Sequence, residues 1–208
     1  MQTLRMLLLA LVMVSLTTPW AQADVLLDEA LVAAIVARDL AKTRTLLTQG
    51  ANPNATTDDN KYGSAMCRAA QRGMAPFMEV LLAHGANANQ WFENAPSYDK
   101  TPLACAVGSG NVEAFELLLE AGAQASIELR PMQNGHGGLS MVQNAVLSGR
   151  AELLWRLLEL GVATARDIES IVYEYENHSP GPYADESGDR QRIITWIREQ
   201  GVEFEPKM

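Results

Sequence analysis

Hydrophobic residues along this chain gather in short clusters that recur at a nearly fixed interval, and each cluster ends in glycine. Leu46-Leu47 leads to Gly50-Ala51, Val80-Leu81-Leu82 to Gly85-Ala86, and Leu117-Leu118-Leu119 to Gly122-Ala123. Leu157-Leu158 leads to Gly161-Val162, and a degenerate copy, Trp196-Ile197, leads to Gly201-Val202. These glycines, at positions 50, 85, 122, 161 and 201, step by 35, 37, 39 and 40 residues. Three of them have a partner glycine, Gly73, Gly110 and Gly149, always 12 residues upstream. A constant inner gap with a variable outer step separates a packed part, which cannot change length, from a loop, which can.

The packed part reads as two short helices. Ser64 to Ala70, Thr101 to Val107 and Ser140 to Val146 are the first helices, each opened by a Ser or Thr that can cap it. Pro102 sits in a first turn, where a missing N–H costs nothing. Ala69, Ala106 and Ala145 share one position, and so small a side chain lets neighbouring helices approach closely. The second helix carries the leucine cluster and ends at the Gly-Ala, a plausible left-handed cap. Asp28 to Arg38 predicts the first helix of the first unit, with Arg38 standing where the other units have glycine. Asp167 to Glu176 and Asp189 to Gln200 predict a terminal pair. His178 to Gly188, with Pro180, Gly181 and Pro182, predicts an exposed loop between them.

Lys100-Thr101-Pro102-Leu103, Gly122-Ala123, Gly50-Ala51-Asn52-Pro53-Asn54 and Gly85-Ala86-Asn87-Ala88-Asn89 carry a family resemblance. They resemble the ankyrin repeat, G-x-T-P-L-H-x-A-A-x-x-G-H, then a second helix and L-L-L-x-x-G-A-D-x-N. A tetratricopeptide-like or Sel-like array would keep nearly constant steps and lack the terminal Gly-Ala-Asn. The resemblance implies an all-α solenoid of helix-turn-helix units. Its repeats would run over about 28–55, 62–89, 100–126 and 138–164, with a degenerate cap over 167–202. All would form a single domain over 24–208. Cys67, Ala104 and Gln143 replace the histidine of T-P-L-H, which predicts less regular turns at those positions.

The loops, or fingers, are longer than the repeat needs and lengthen along the chain. Insertions in a repeat array map to loops, often on the binding face. The resemblance therefore implies a concave protein-binding surface. Candidate contacts are Tyr62, Trp91, Phe92, Tyr98, Arg130, Met132 and His136 in fingers, with Arg68, Gln71 and Arg72 on a helix. Trp and Tyr are frequent interface anchors. Trp91 and Phe92 have a second reading, in which they fold back and pin their own finger. Trp155 and Trp196 lie on second helices, and Trp196 takes a leucine position that predicts core packing.

Composition and charge narrow the function. The chain has 208 residues, 48% hydrophobic and 20% charged, enough apolar content for a core. Its net charge of −9 disfavours nucleic acid and suits a basic protein partner. Arg5 is the only charge before Asp24, Met6 to Val14 is apolar, and Ala21-Gln22-Ala23 fits a signal peptidase. The expected signal peptide is 1–23, with cleavage after Ala23, a periplasmic destination and no membrane insertion afterwards.

Three scattered histidines and two cysteines offer no metal site and no cofactor site. His84 falls at a helix end, and His136 and His178 in loops. Gly135-His136-Gly137-Gly138 is not followed by the Lys-Ser or Lys-Thr of a phosphate loop. Cys67 and Cys105 sit at different positions of adjacent first helices. Helices pack about 8–10 Å apart, and a disulfide needs Cα atoms within about 7 Å, so two buried, reduced thiols are expected. Asp58-Asp59 and Asp185-Glu186 are acidic pairs in loops that could steer a basic partner.

These readings describe a non-enzymatic binding protein, monomeric alone. Two roles compete: the resemblance implies support of a periplasmic enzyme such as catalase, while the acidic charge and aromatic fingers suit an immunity protein that occludes a basic, periplasm-acting toxin. A hydrolase built on the fingers lacks a nucleophile–base pair.

Overall fold

The computed structural model describes residues 19–56, 64–92, 101–126, 139–178 and 188–206, with side chains from Asp24 onward. Helices run in pairs along them. The first helices are α1 (Pro19–Val36), α3 (Ala65–Gln71), α5 (Pro102–Ser109), α7 (Met141–Leu147) and α9 (Ala165–Asn177), taken here with their partners. The second helices are α2 (Leu40–Thr48), α4 (Ala75–Ala83), α6 (Val112–Glu120), α8 (Ala151–Glu159) and α10 (Asp189–Glu199).

First helices stack on first helices, α1 on α3, α3 on α5, α5 on α7 and α7 on α9. Behind them α2 packs on α4, α4 on α6, and α8 on α10. The fold is an all-α repeat solenoid, as the ankyrin resemblance implies. Helices of 7 to 9 residues, such as α3 and α4, are too short to persist alone. Stacking holds them. Leu31, Met66, Leu81, Leu103, Phe115, Leu118, Leu153 and Leu157 are all fully buried in one continuous apolar layer between the two helix rows.

Local chemistry sets each helix start. Ser64 Oγ accepts from Cys67 N at 3.1 Å, Thr101 Oγ1 from Ala104 N at 3.1 Å, and Ser140 Oγ from Gln143 N at 3.0 Å. The irregularity expected from the missing histidine is therefore absent at these three starts. The caps need only the hydroxyl, and Gln143 adds a reciprocal bond, its Oε1 accepting from Ser140 N at 3.2 Å.

Gly73, Gly110 and Gly149, which follow first helices, and Gly50, Gly85, Gly122, Gly161 and Gly201, which follow second helices, have positive φ, and at Gly73 a further need for glycine is visible. A Cβ there would lie 2.2 Å from Nδ2 of Asn111, whose Oδ1 caps α6 by accepting from Ala114 N. Arg38 takes the same turn with φ 59°, the one non-glycine residue with positive φ among the described residues.

Asparagines after the Gly-Ala stitch successive turns together. Asn54 Oδ1 accepts from Asn87 N at 2.7 Å, and Asn89 Oδ1 accepts from Gln124 N at 2.8 Å. Asp28 Oδ1 begins the series by accepting from Asn52 N at 2.7 Å.

Two expectations are corrected. Helix α1 spans Pro19–Val36 rather than starting at Asp28, and no glycine or proline interrupts the chain between Trp20 and Val36. The junction expected at Ala23–Asp24 lies inside it. The second correction concerns the cysteines: Cys67 and Cys105 form a disulfide, with Cα atoms 5.5 Å apart. The spacing of helix axes was the wrong measure. Residues on the facing sides of two helices lie closer than the axes do. Ala65, Ala69, Ala104 and Ala106 around the bridge are fully buried and let α3 and α5 approach. The predicted burial of both sulfurs is correct, with Cys67 1% and Cys105 0% exposed.

Candidate protein-binding surface

Each interior first helix, α3, α5 and α7, is covered on its flanks by neighbouring first helices and behind by its second helix, whereas the terminal α1 and α9 have a first helix on one flank only. The remaining side is the surface on which a partner could be received. The residues predicted to serve it divide sharply.

Arg68 is 8% exposed and buried in the stack, which removes it as a surface contact. Gln71 is half-buried, while Arg72 is exposed and donates from Nη1 to Val36 O at 3.4 Å. Phe92 is buried within the apolar core, and Trp91 is half-buried against it. Phe92 therefore has the pinning role and is not an anchor for a partner. Gln90 helps fix this finger base, donating from Nε2 to Asn54 O at 2.8 Å. Tyr62, Tyr98, Arg130, Met132 and His136 lie outside the described residues, as do Asp58-Asp59 and Asp185-Glu186. Trp155 and Trp196 are half-buried against the core.

A groove that sequence reasoning missed opens between α7 and α9, with a volume of about 390 Å³. Leu139, Val146 and Leu147 make its apolar side. Across it stand Tyr173, Glu169, Glu174 and Arg166 of α9. Gln143 Nε2 donates to Ser170 Oγ at 3.1 Å and ties the two walls. Below the groove, Asp167 is buried and accepts from Ser140 Oγ, from Thr164 N at 2.8 Å and from Thr164 Oγ1 at 2.7 Å. The network fixes the last first helix against the one before it.

Helix α9 carries two stripes at helical spacing. Ile168, Ile171, Val172 and Tyr175 pack inward, and Arg166, Glu169, Ser170 and Tyr173 line the groove. The signal available in sequence was Tyr173, an aromatic on the otherwise polar stripe. Leu147 gave a weaker one, a leucine following the close-packed segment of α7. They are 64% and 60% exposed.

Three copies of the ankyrin repeat match residues 30–131 in the ankyrin-repeat family model. Residues 30–131 carry ankyrin repeats. Such repeats are protein–protein interaction modules and are generally non-catalytic. The helix pairs of the ankyrin stack continue beyond the matched stretch, through α7–α8 and α9–α10. Among the described residues no group of His, Cys, Asp and Glu is placed to hold a metal ion, and no helix is long and apolar enough to cross a membrane.

Proposed function

We propose that this ankyrin-repeat chain is exported to a bacterial periplasm. There it would act as a non-enzymatic binding module that supports a resident enzyme, a catalase being the leading candidate. The observation that carries the binding reading is the open side of the first-helix row, where large apolar side chains meet solvent beside carboxylates. Export is supported by the Cys67–Cys105 disulfide, since such bonds persist in oxidising compartments and are rare in the cytosol. The apolar Met6 to Val14 run and Ala21-Gln22-Ala23 support it from the sequence side. A net charge of −9 also favours a second reading, an immunity protein that occludes a basic toxin.

The test has two parts. Mass spectrometry of the exported protein should find Asp24 at its amino terminus; an intact Met1 in the mature pool would overturn the compartment. Affinity capture from periplasm, with the partner identified, should return a resident enzyme, and deleting the gene should lower that enzyme's activity. Recovery of a secreted toxin instead would establish the second reading. Absence of any stoichiometric partner would refute both.

A further inference from the structure

The groove between α7 and α9 has a chemistry of its own. Its apolar side is Val146, buried, with Leu147 mostly in water and Leu139 half-buried. Tyr173, 64% exposed, closes the far side. Exposed apolar side chains grouped in a concavity mark a contact site more strongly than the same residues scattered. Among the described residues the other large exposed apolar side chains, Val25, Leu26, Val36 and Leu160, lie outside the groove.

Charge then discriminates between occupants. Glu169 and Glu174 flank Tyr173, one turn before it and one residue after. Arg166 stands two turns away, about 10 Å along the axis at 1.5 Å per residue. His178 lies beside Glu174, 3.2 Å from its carboxylate. Glu174 thus borders the apolar end of the groove, Glu169 lies between Tyr173 and Arg166, and the arginine is at the far end. An apolar group with a cation next to it fits this arrangement. An apolar group with an acid next to it would be repelled.

Resting on the binding reading above, we propose that this groove is the anchoring subsite for a basic protein partner. It takes one large aliphatic or aromatic side chain between Leu147 and Tyr173, with an adjacent Lys or Arg paired to Glu169 and Glu174. The pairing is exposed and adds selectivity and association rate more than affinity, while the buried apolar side chain supplies most of the affinity.

The experiment uses the purified chain, isotope-labelled for amide NMR, and synthetic peptides of one scaffold. One carries a central Phe flanked by Lys, a second replaces Phe by Ser, and a third replaces the flanking Lys by Glu. The Lys-Phe peptide should bind saturably and move the amides of Leu147, Ser170 and Tyr173. The Ser and Glu peptides should bind at least about tenfold more weakly. Tyr173→Ser should weaken the Lys-Phe peptide about tenfold with no change in the circular dichroism melting curve, because the side chain is already exposed. Glu169→Lys with Glu174→Lys should invert the preference between the Lys and Glu peptides. No saturable binding, equal affinity for the Glu peptide, or shifts confined to other repeats would overturn the proposal. So would a concentration-dependent dimer that Tyr173→Ser abolishes, since a second copy would then be the occupant. Partner capture from periplasm with the peptides silent removes only this subsite. Loss of capture itself removes the binding reading beneath it.

Discussion

Opening the Cys67–Cys105 bond should destabilise the stack by several kcal/mol. The bond spans 38 residues and so closes a long loop in the unfolded chain. For a loop of that length the chain-entropy relation gives about 4 kcal/mol at room temperature. Residual structure in an alanine- and leucine-rich denatured state lowers the figure, so a loss of about 3 kcal/mol is the working value. Reduction alone leaves every atom of the core in place. Cys67→Ala with Cys105→Ala goes further and empties two fully buried sulfur sites, adding roughly 1 kcal/mol each on the scale of a buried methyl deletion.

The bridge also couples neighbours. It ties α3 to α5, and in a repeat array such interface terms decide whether units unfold together. Urea titration followed by far-ultraviolet circular dichroism should be run on the oxidised chain, the chemically reduced chain and the double alanine variant. The expected order of midpoints is oxidised, then reduced, then the alanine variant, with a broader transition once the bond is open. Coincident midpoints for oxidised and reduced protein would refute the energetic reasoning. Two titratable thiols in denatured, unreduced protein from an oxidising compartment would refute the bond itself.

Two further outcomes are expected. Arg38→Gly should stabilise the chain by about 1 kcal/mol in the same titration, because Arg38 holds φ 59° and L side chains pay roughly that much in the left-handed region. Leu118→Ala should cost about 2–5 kcal/mol as a core truncation at a position with no exposed surface, and an unchanged thermal midpoint would show that α6 is not packed as described.

The helix pairs were legible because their causes are local. A hydroxyl at Ser64, Thr101 or Ser140, a glycine 12 residues before the next glycine, and a leucine cluster between them are all visible in one dimension. Arg38 was legible for the same reason, since it occupies a glycine position and must adopt the glycine turn. The disulfide was not, because it depends on the distance between two facing helix sides. That distance is set by several alanines acting together across the α3–α5 contact. The start of α1 was missed for a different reason: the expected boundary at Asp28 marked the repeat, and the helix itself had nothing to stop it there.

Candidate contacts were harder to read because residue type does not say which way a side chain faces. Phe92 looked like an anchor by composition, yet its position at the base of a finger turns it into the core. Arg68 looked like a polar contact, yet it lies where α3 is covered. The reverse error hid Tyr173. In a terminal unit that departs from the repeat pattern, no alignment of copies singles it out, and only the second stripe of α9 does. That stripe has a physical meaning. A helix whose inward face already holds Ile168, Ile171, Val172 and Tyr175 gains little in stability from an aromatic on its outward face, where Tyr173 meets the exposed His178 ring edge-on. Leu147 and Tyr173 leave apolar area in water, a cost the fold does not require and a bound partner would remove.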